Sequence, residues 1–289
     1  MLWRSMLLFV FLSSPPLLPA QTTLAWKFRT GDTFSVEQQV VQTTALETKN
    51  KPFQQKSEWK LLSRWQVKET GKDSAKLLVT VDALTSKTYA GDTKVGLPSK
   101  EDELWRGAEF SFTTDPQGRL RDLKGHEALL KKLAGDSPQR LKILTALKPP
   151  DFFQALFQDV LGPMPENPVR PGDRWQSSAA DSMSIFGTLV HTTEFTCRAP
   201  SDGLQSVESS TKTVFKAPRY AIENDVFRIT KGEVRADDGK GSLLFDAAKG
   251  RMQRVHKSIN VRGDLTLETL TGMQRIEFTS GTEVRIEIK

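Results

Sequence analysis

Apolar and polar side chains alternate along much of this chain, the period of a strand with one dry and one wet face. Thr282 to Lys289 is the clearest run. Val284, Ile286 and Ile288 fall on one side, and Glu283, Arg285 and Glu287 on the other. Glu58 to Val67 sets Trp59, Leu61, Trp65 and Val67 at even spacing, and Lys76 to Leu84 does the same with Leu77, Val79, Val81 and Ala83. Phe34 to Val41, Glu109 to Thr113 and Thr193 to Cys197 also read as strands. Turn residues punctuate them. Asp115-Pro116-Gln117-Gly118 suits a type I turn, and Arg170-Pro171-Gly172-Asp173 a type II turn. Asp237-Asp238-Gly239-Lys240-Gly241 and Ser280-Gly281 read as hairpin loops.

The period changes in the middle. Glu127 to Ala134 carries Leu129, Leu130 and Leu133 at helical spacing and stops at Gly135. Asp136-Ser137-Pro138 is a cap with Pro at the first helical place, ahead of Leu141, Leu144 and Leu147. Pro150 to Leu161 forms an amphipathic stripe of Phe152, Phe153, Leu156, Phe157, Val160 and Leu161, ended by Gly162-Pro163. Met164 to Pro171 is a Pro-rich connector.

The strand regions on either side echo each other. Gly31-Asp32-Thr33-Phe34 resembles Gly172-Asp173-Arg174-Trp175, and Gly118-Arg119-Leu120 resembles Gly250-Arg251-Met252, in the same order. The pattern predicts a mainly β fold with a helical insert, built as duplicated curved antiparallel sheets or half-barrels. Residues 21–125 are expected to form one β repeat, 126–162 the helical insert, and 163–289 the second β repeat.

These motifs resemble a domain-of-unknown-function family of secreted proteins, frequent in planctomycete-like bacteria. The residues that carry the likeness are Leu24-Ala25-Trp26-Lys27-Phe28 with Gly31-Asp32, then Leu161, Pro165 and Val169 leading into Gly172-Asp173-Arg174-Trp175, and Phe245-Asp246 with Gly250-Arg251. The resemblance covers nearly all of the chain after the first segment. It implies export and this layout, and no catalytic residues.

The first 20 residues change the picture. Arg4 supplies a positive charge, Met6 to Leu12 is almost wholly apolar, and Ala20 offers a small residue before Gln21. That is the order of a secretory signal, and the run is far shorter than the roughly 20 residues of a membrane span. The expected location is periplasmic or extracellular, and no later segment reads as transmembrane. A formal charge of +6 and a pI near 9.3 favour anionic surfaces. The basic residues are dispersed among acids, so nucleic acid is not an expected partner. A single cysteine, Cys197, excludes an internal disulfide and reads as a small buried hydrophobe.

Chemistry is hard to find. His126, His191 and His256 stand far apart, none at metal-ligand spacing. No serine sits in a nucleophile elbow, and Gly239-Lys240-Gly241-Ser242 lacks the remainder of a phosphate loop. Asp237-Asp238-Gly239 lacks the alternating acids of a calcium loop. No catalytic centre, cofactor or metal is expected. Trp26, Trp59, Trp65 and Trp175 read as core. Phe152, Phe153, Phe157 and Leu161 are the candidate ligand-pocket or helix-lid residues. The expected function is a non-catalytic envelope module that binds an apolar or amphiphilic, lipid-like ligand. The alternative is a structural component that meets another envelope protein and takes no small molecule. Export is directly testable: N-terminal sequencing of protein recovered from the periplasm or medium should read Gln21 first. A cytoplasmic chain that keeps Met1 would contradict it.

Overall fold

The computed structural model describes residues 21–47, 52–91, 93–95, 100–182, 188–216, 227–236, 239–269 and 272–289. The alternating runs form two meanders. The first is β1 (Thr33–Glu47), β2 (Pro52–Thr70) and β3 (Ala75–Ala90), then the short β4 (Thr93–Val95) and helix α1 (Lys100–Trp105), then β5 (Glu109–Thr114) and β6 (Leu120–Lys124). Helices α2 (His126–Ala134), α3 (Pro138–Leu147) and α4 (Pro150–Leu161) follow. The second meander is β7 (Arg174–Ser182), β8 (Thr188–Cys197), β9 (Gln205–Lys216), β10 (Phe227–Ala236), β11 (Gly239–Asp246), β12 (Arg251–Thr269) and β13 (Gly272–Ile288). Antiparallel pairing of β1 with β13, from Val36 opposite Ile288 to Glu47 opposite Glu277, joins the meanders into one 13-stranded sheet. Its order is β6-β5-β3-β2-β1-β13-β12-β10-β9-β8-β7, with β11 between β12 and β9 and β4 beside β3.

The echoed motifs occupy turns with one hydrogen-bond pattern. The Gly31 amide donates to the Val67 carbonyl (2.9 Å), Asp32 to Arg29 (3.0 Å) and Val67 to Asp32 (2.9 Å). In the second meander Gly172 donates to Cys197 (2.8 Å), Asp173 to Arg170 (3.0 Å) and Cys197 to Asp173 (2.9 Å). Each turn delivers an aromatic pair across the next two strands. Phe34 stacks on Trp65 with centroids 5.7 Å apart, and Trp175 on Phe195 at 5.5 Å. The Gly118 and Gly250 turns are likewise matched by an aspartate that caps backbone amides. The Asp115 Oδ1 accepts from Gln117 and Arg119, and the Asp246 Oδ1 from Lys249. The segment before β1 ties these two turns together: Trp26 donates its amide to Pro116 and Lys27 to Gly250, both at 2.9 Å.

The helices follow their local signals. Ser137 caps α3 through its hydroxyl, which accepts from the Arg140 amide (3.2 Å). Helix α4 spans the predicted residues and packs against the two edge strands, β6 and β7, and against the central β12. A helix in contact with both margins and the middle requires a curled sheet. Phe153, Phe157, Val160 and Leu161 are fully buried. Phe157 meets Phe110, Phe112 and Trp65 at centroid distances of 5.0, 5.6 and 5.8 Å. The Trp26 indole donates to the Leu161 carbonyl (2.6 Å), and the Gln158 amide and carbonyl bridge Gly118 and Leu120.

Two local expectations change, and one short helix is added. Ser280-Gly281 lies within β13, where Ser280 faces Thr44 and Val261, so cross-strand pairing on both sides overrides the turn preference. Gly239 to Gly241 lies in β11 rather than a loop. β10 and β11 both run antiparallel to β12, so the chain continues past this point without reversing; Asp237 and Asp238 lie outside the described residues. Helix α1, six residues long, is too short to show a helical period; it is fixed by Asp102, which accepts from the Ser86 amide (2.8 Å) and hydroxyl (2.8 Å). The turn glycines give a graded test. Gly31 has φ 92° and open space around an added Cβ, whereas at Gly118 (φ 78°) a Cβ would strike the Gly162 and Leu161 carbonyl oxygens. Gly31→Ala should cost about 1–2 kcal/mol from backbone strain, and Gly118→Ala roughly 1–3 kcal/mol more from overpacking, read as paired denaturant midpoints.

Candidate functional site

The central strands are longer than the core needs. β2 and β12 have 19 residues each, β13 17 and β1 15, so the longest reach about 60 Å at roughly 3.3 Å per residue. One end is filled. There Phe34, Val36, Gln38 and Val40 of β1 and Val284, Ile286 and Ile288 of β13 are buried. These residues define the inner face of the sheet. Past Val40 and Val284, toward the other end, no residue of β1 or β13 on this face is fully buried.

Register places the inner side chains of this open end in successive rows. The row beside α4 contains Trp59, Val40, Val284, Lys257 and Gly241. The next contains Ser57, Gln42, Thr282 and Ile259, and the third Gln55, Thr44, Ser280, Val261 and Ala236. The fourth contains Phe53, Leu46, Phe278, Gly263 and Val234. The middle rows are polar without charge. The Gln42 side-chain amide donates to the Ser280 hydroxyl (3.2 Å) and that of Gln55 to Ser57 (3.1 Å). Across β8 and β9 the hydroxyls of Thr193 and Thr211 pair at 2.9 Å, and His191 Nδ1 pairs with Thr213 at 2.7 Å.

The outer face of the same strands is charged. Lys60 pairs with Glu37 (2.6 Å), Lys56 with Glu58 (2.6 Å), Arg285 with Glu283 (2.6 Å) and Arg235 with Glu233 (2.5 Å). Arg275 joins Asp264 and Glu277. Hydrogen bonds from Lys60, Lys56 and Arg285 hold Glu37, Glu58 and Glu283, respectively, below the usual carboxylate range. Among the strand residues whose side chains are described, the ionisable groups on the inner face of the open end are Lys257 and His191. Lys257 Nζ lies 2.6 Å from Asp159 Oδ1 of α4.

A cleft of about 1070 Å³ sits at the far tips of β1, β2, β3, β10, β12 and β13. Its apolar wall includes Leu46, Phe53, Ala90 and Phe278, and its charges are mixed, Arg235, Arg262 and Arg275 with Glu47, Glu233, Asp264 and Glu277. It lies at the opposite end of the strands from α4.

The sheet is similar to part of lipovitellin. A solved lipovitellin structure, described for its lipid–protein interactions, superposes with a TM-score of 0.53 at 10% identity, over 91% of this chain. The chain spans 25% of the lipovitellin chain. At this identity the likeness is one of fold. DynF from the dynemicin pathway of Micromonospora chersina (7% identity, 96% of this chain and 86% of that one) has a TM-score of 0.21, and OccK5 of Pseudomonas aeruginosa (5% identity, 89% and 98%) one of 0.25. No protein-family model and no curated protein matches the chain.

The residues singled out from sequence fall in different places. Phe153, Phe157 and Leu161 are core, and the space beneath α4 is taken by Trp65, Phe110 and Phe112, which leaves no room for a ligand there. Phe152 is 38% exposed, edge-on to Phe153, with Lys148 Nζ 5.0 Å from its ring. Burial lowers the Lys148 pKa. His126 packs 5.8 Å from the Phe153 ring, and His256 pairs with Glu283 on the outer face (2.9 Å). The three histidines thus stand on separate surfaces. Lys257, Asp159 and the hydroxyl rows were not anticipated. Their signal is present as Thr, Ser and Gln at alternate positions of β1, β2 and β13, but becomes visible only when register lines them up. Cys197 is fully buried, and burial, aided by the charge of Asp173, raises its thiol pKa. The folded protein should therefore resist maleimide labelling and react promptly in denaturant, as followed by intact mass.

Proposed function

We propose that the open end of the inner face binds an apolar or amphiphilic, lipid-like ligand, and that the protein is an exported, non-catalytic binding module of a bacterial cell envelope. The carrying observation is the division of charge between the two faces. A sheet wetted alike on both sides has no reason to confine its ion pairs to one of them. Here the outer face carries the strand-to-strand ion pairs, while the inner face beyond Lys257 and its partner Asp159 alternates uncharged hydroxyl and amide groups with half-buried Trp59, Ile259, Val261, Leu46 and Phe278. A buried binding wall needs that composition: apolar area for affinity and a few polar groups for orientation. The fold shared with lipovitellin, whose structure is described for lipid–protein interactions, supports the same reading. So does the curl of the sheet around α4, which leaves its far half unfilled by the helices among the described residues. The matched Gly-Asp turns support a duplication of one meander as the origin of so wide a wall.

A second reading rests on Ile143 (52% exposed) and Leu147 (55%) of α3 with Phe152 of α4. These apolar side chains on the helical insert favour contact with another envelope protein.

Native mass spectrometry of protein purified from the periplasm should show an adduct of lipid mass that organic extraction removes. Adjacent residues of β12 then test the face. Ile259→Glu places a charge on the inner wall and should abolish the adduct. Ser258→Glu, one residue away on the outer face, should leave it intact. Loss of the adduct in both variants or in neither would refute the assignment of the inner face.

A further inference from the structure

Resting on that reading, we propose that the ligand is an anionic amphiphile, bound headgroup-inward, with its carboxylate or phosphate on Lys257. Lys257 is out of step with the other charges of β12. Arg254, His256 and Arg262 stand on the outer face, whereas Lys257 shares its row with Trp59, Val40 and Val284 on the inner face, at the floor of the open end.

The polarity of the wall changes in order away from this point. The ammonium of Lys257 comes first, beside Trp59; the next two rows carry the hydroxyls and amides of Gln42, Thr282, Thr44 and Ser280 among Ile259 and Val261; the fourth carries Phe53, Leu46 and Phe278 and no polar side chain. An amphiphile has the same sequence of charge, polar linkage and hydrocarbon. Laid headgroup-inward, each of its segments meets a row of matching chemistry. Laid the other way, its charge would fall on the one row without a polar side chain and its hydrocarbon end on the Lys257 ammonium; the arginines at the tips, Arg235, Arg262 and Arg275, stand on the outer face.

Asp159 is the resident counter-ion of Lys257, and the pair is accessible, with side chains 44% and 32% exposed. An ion pair this exposed is weak. It holds the Lys257 side chain at the floor, yet yields to an incoming anion with more contacts. Asp159 therefore competes with the ligand, and the two members of one ion pair act in opposite directions on binding.

The probes are oleate, lysophosphatidic acid with an oleoyl chain, and oleyl alcohol, measured by equilibrium binding to delipidated full-length protein. Wild type should bind the two anions about tenfold more tightly than the alcohol, the ratio of one charge-assisted contact. Lys257→Met should remove that preference, the anions falling to about the affinity of the alcohol. Asp159→Asn should instead tighten both anions by about threefold or more. If Lys257 and Asp159 merely pin α4 to β12, the two variants would move all three ligands alike, and the proposal fails. If the alcohol binds as well as the anions in wild type, the headgroup assignment fails while the lipid-binding reading stands. If none of the three binds, both fall. Oleate without lysophosphatidic acid marks a fatty-acid site, and the reverse a phospholipid site; either supports the anchor.

Discussion

Helix α4 lies on the inner face of the sheet with Phe153, Phe157, Val160 and Leu161 withdrawn from water. Each such side chain contributes roughly 1.5–3 kcal/mol on burial, and together they hold both margins of the sheet and its centre to one core. The contacts are made from both halves of the chain. Phe110, Phe112 and Trp65 come from the first meander, Met252 and Phe245 from the second, and Trp26, stacked on Phe28, donates its indole proton to the helix end. Because the helix is 12 residues long and the strands reach 19, it can fill only part of the inner face. Closure at one end, and among the described residues vacancy at the other, follow from that mismatch.

The mismatch also explains the chemistry of the vacant half. Residues facing the helix are paid for by burial, and residues beyond it are not, so the chain could have placed any soluble side chain there. It places Ser, Thr and Gln interleaved with aliphatic and aromatic groups, and puts the cross-strand ion pairs of these strands on the outer face. Lys257, with Asp159 opposite, stands where the filled and vacant parts meet.

Much of this was legible in the sequence, to the extent that each signal is local. The period-two runs located β1, β2, β3 and β13, and the stripe from Pro150 to Leu161 gave α4 with its bounds, because each element's own residues determine its period. The Gly31 and Gly172 turns were visible as matching tetrapeptides. Ser280-Gly281 misled because its two neighbouring strands arrive from distant parts of the chain and satisfy its backbone on both sides. The Phe-rich stripe was read as bordering a pocket, since periodicity shows that a face is apolar but not what covers it. Lys257 looked like any surface lysine. Its position depends on a register shared by β1, β13, β12 and β11, residues separated by most of the chain.

The sheet order leaves β6 and β7 at the two margins. An unpaired strand edge is a template on which a second copy can grow into a fibril. Here the material at both margins is unsuited to that. β6 has five residues, including Arg121, Asp122 and Lys124, and Asp122 takes a left-handed conformation (φ 55°) that breaks a flat edge. β7 offers Arg174 and a run of Ser and Ala, and its one large ring, Trp175, is already stacked on Phe195. A wide sheet with an unfilled face is a natural candidate for uncontrolled self-assembly; in this chain the long, sticky strands are kept in the interior of the order, and the margins are given to its least adhesive segments.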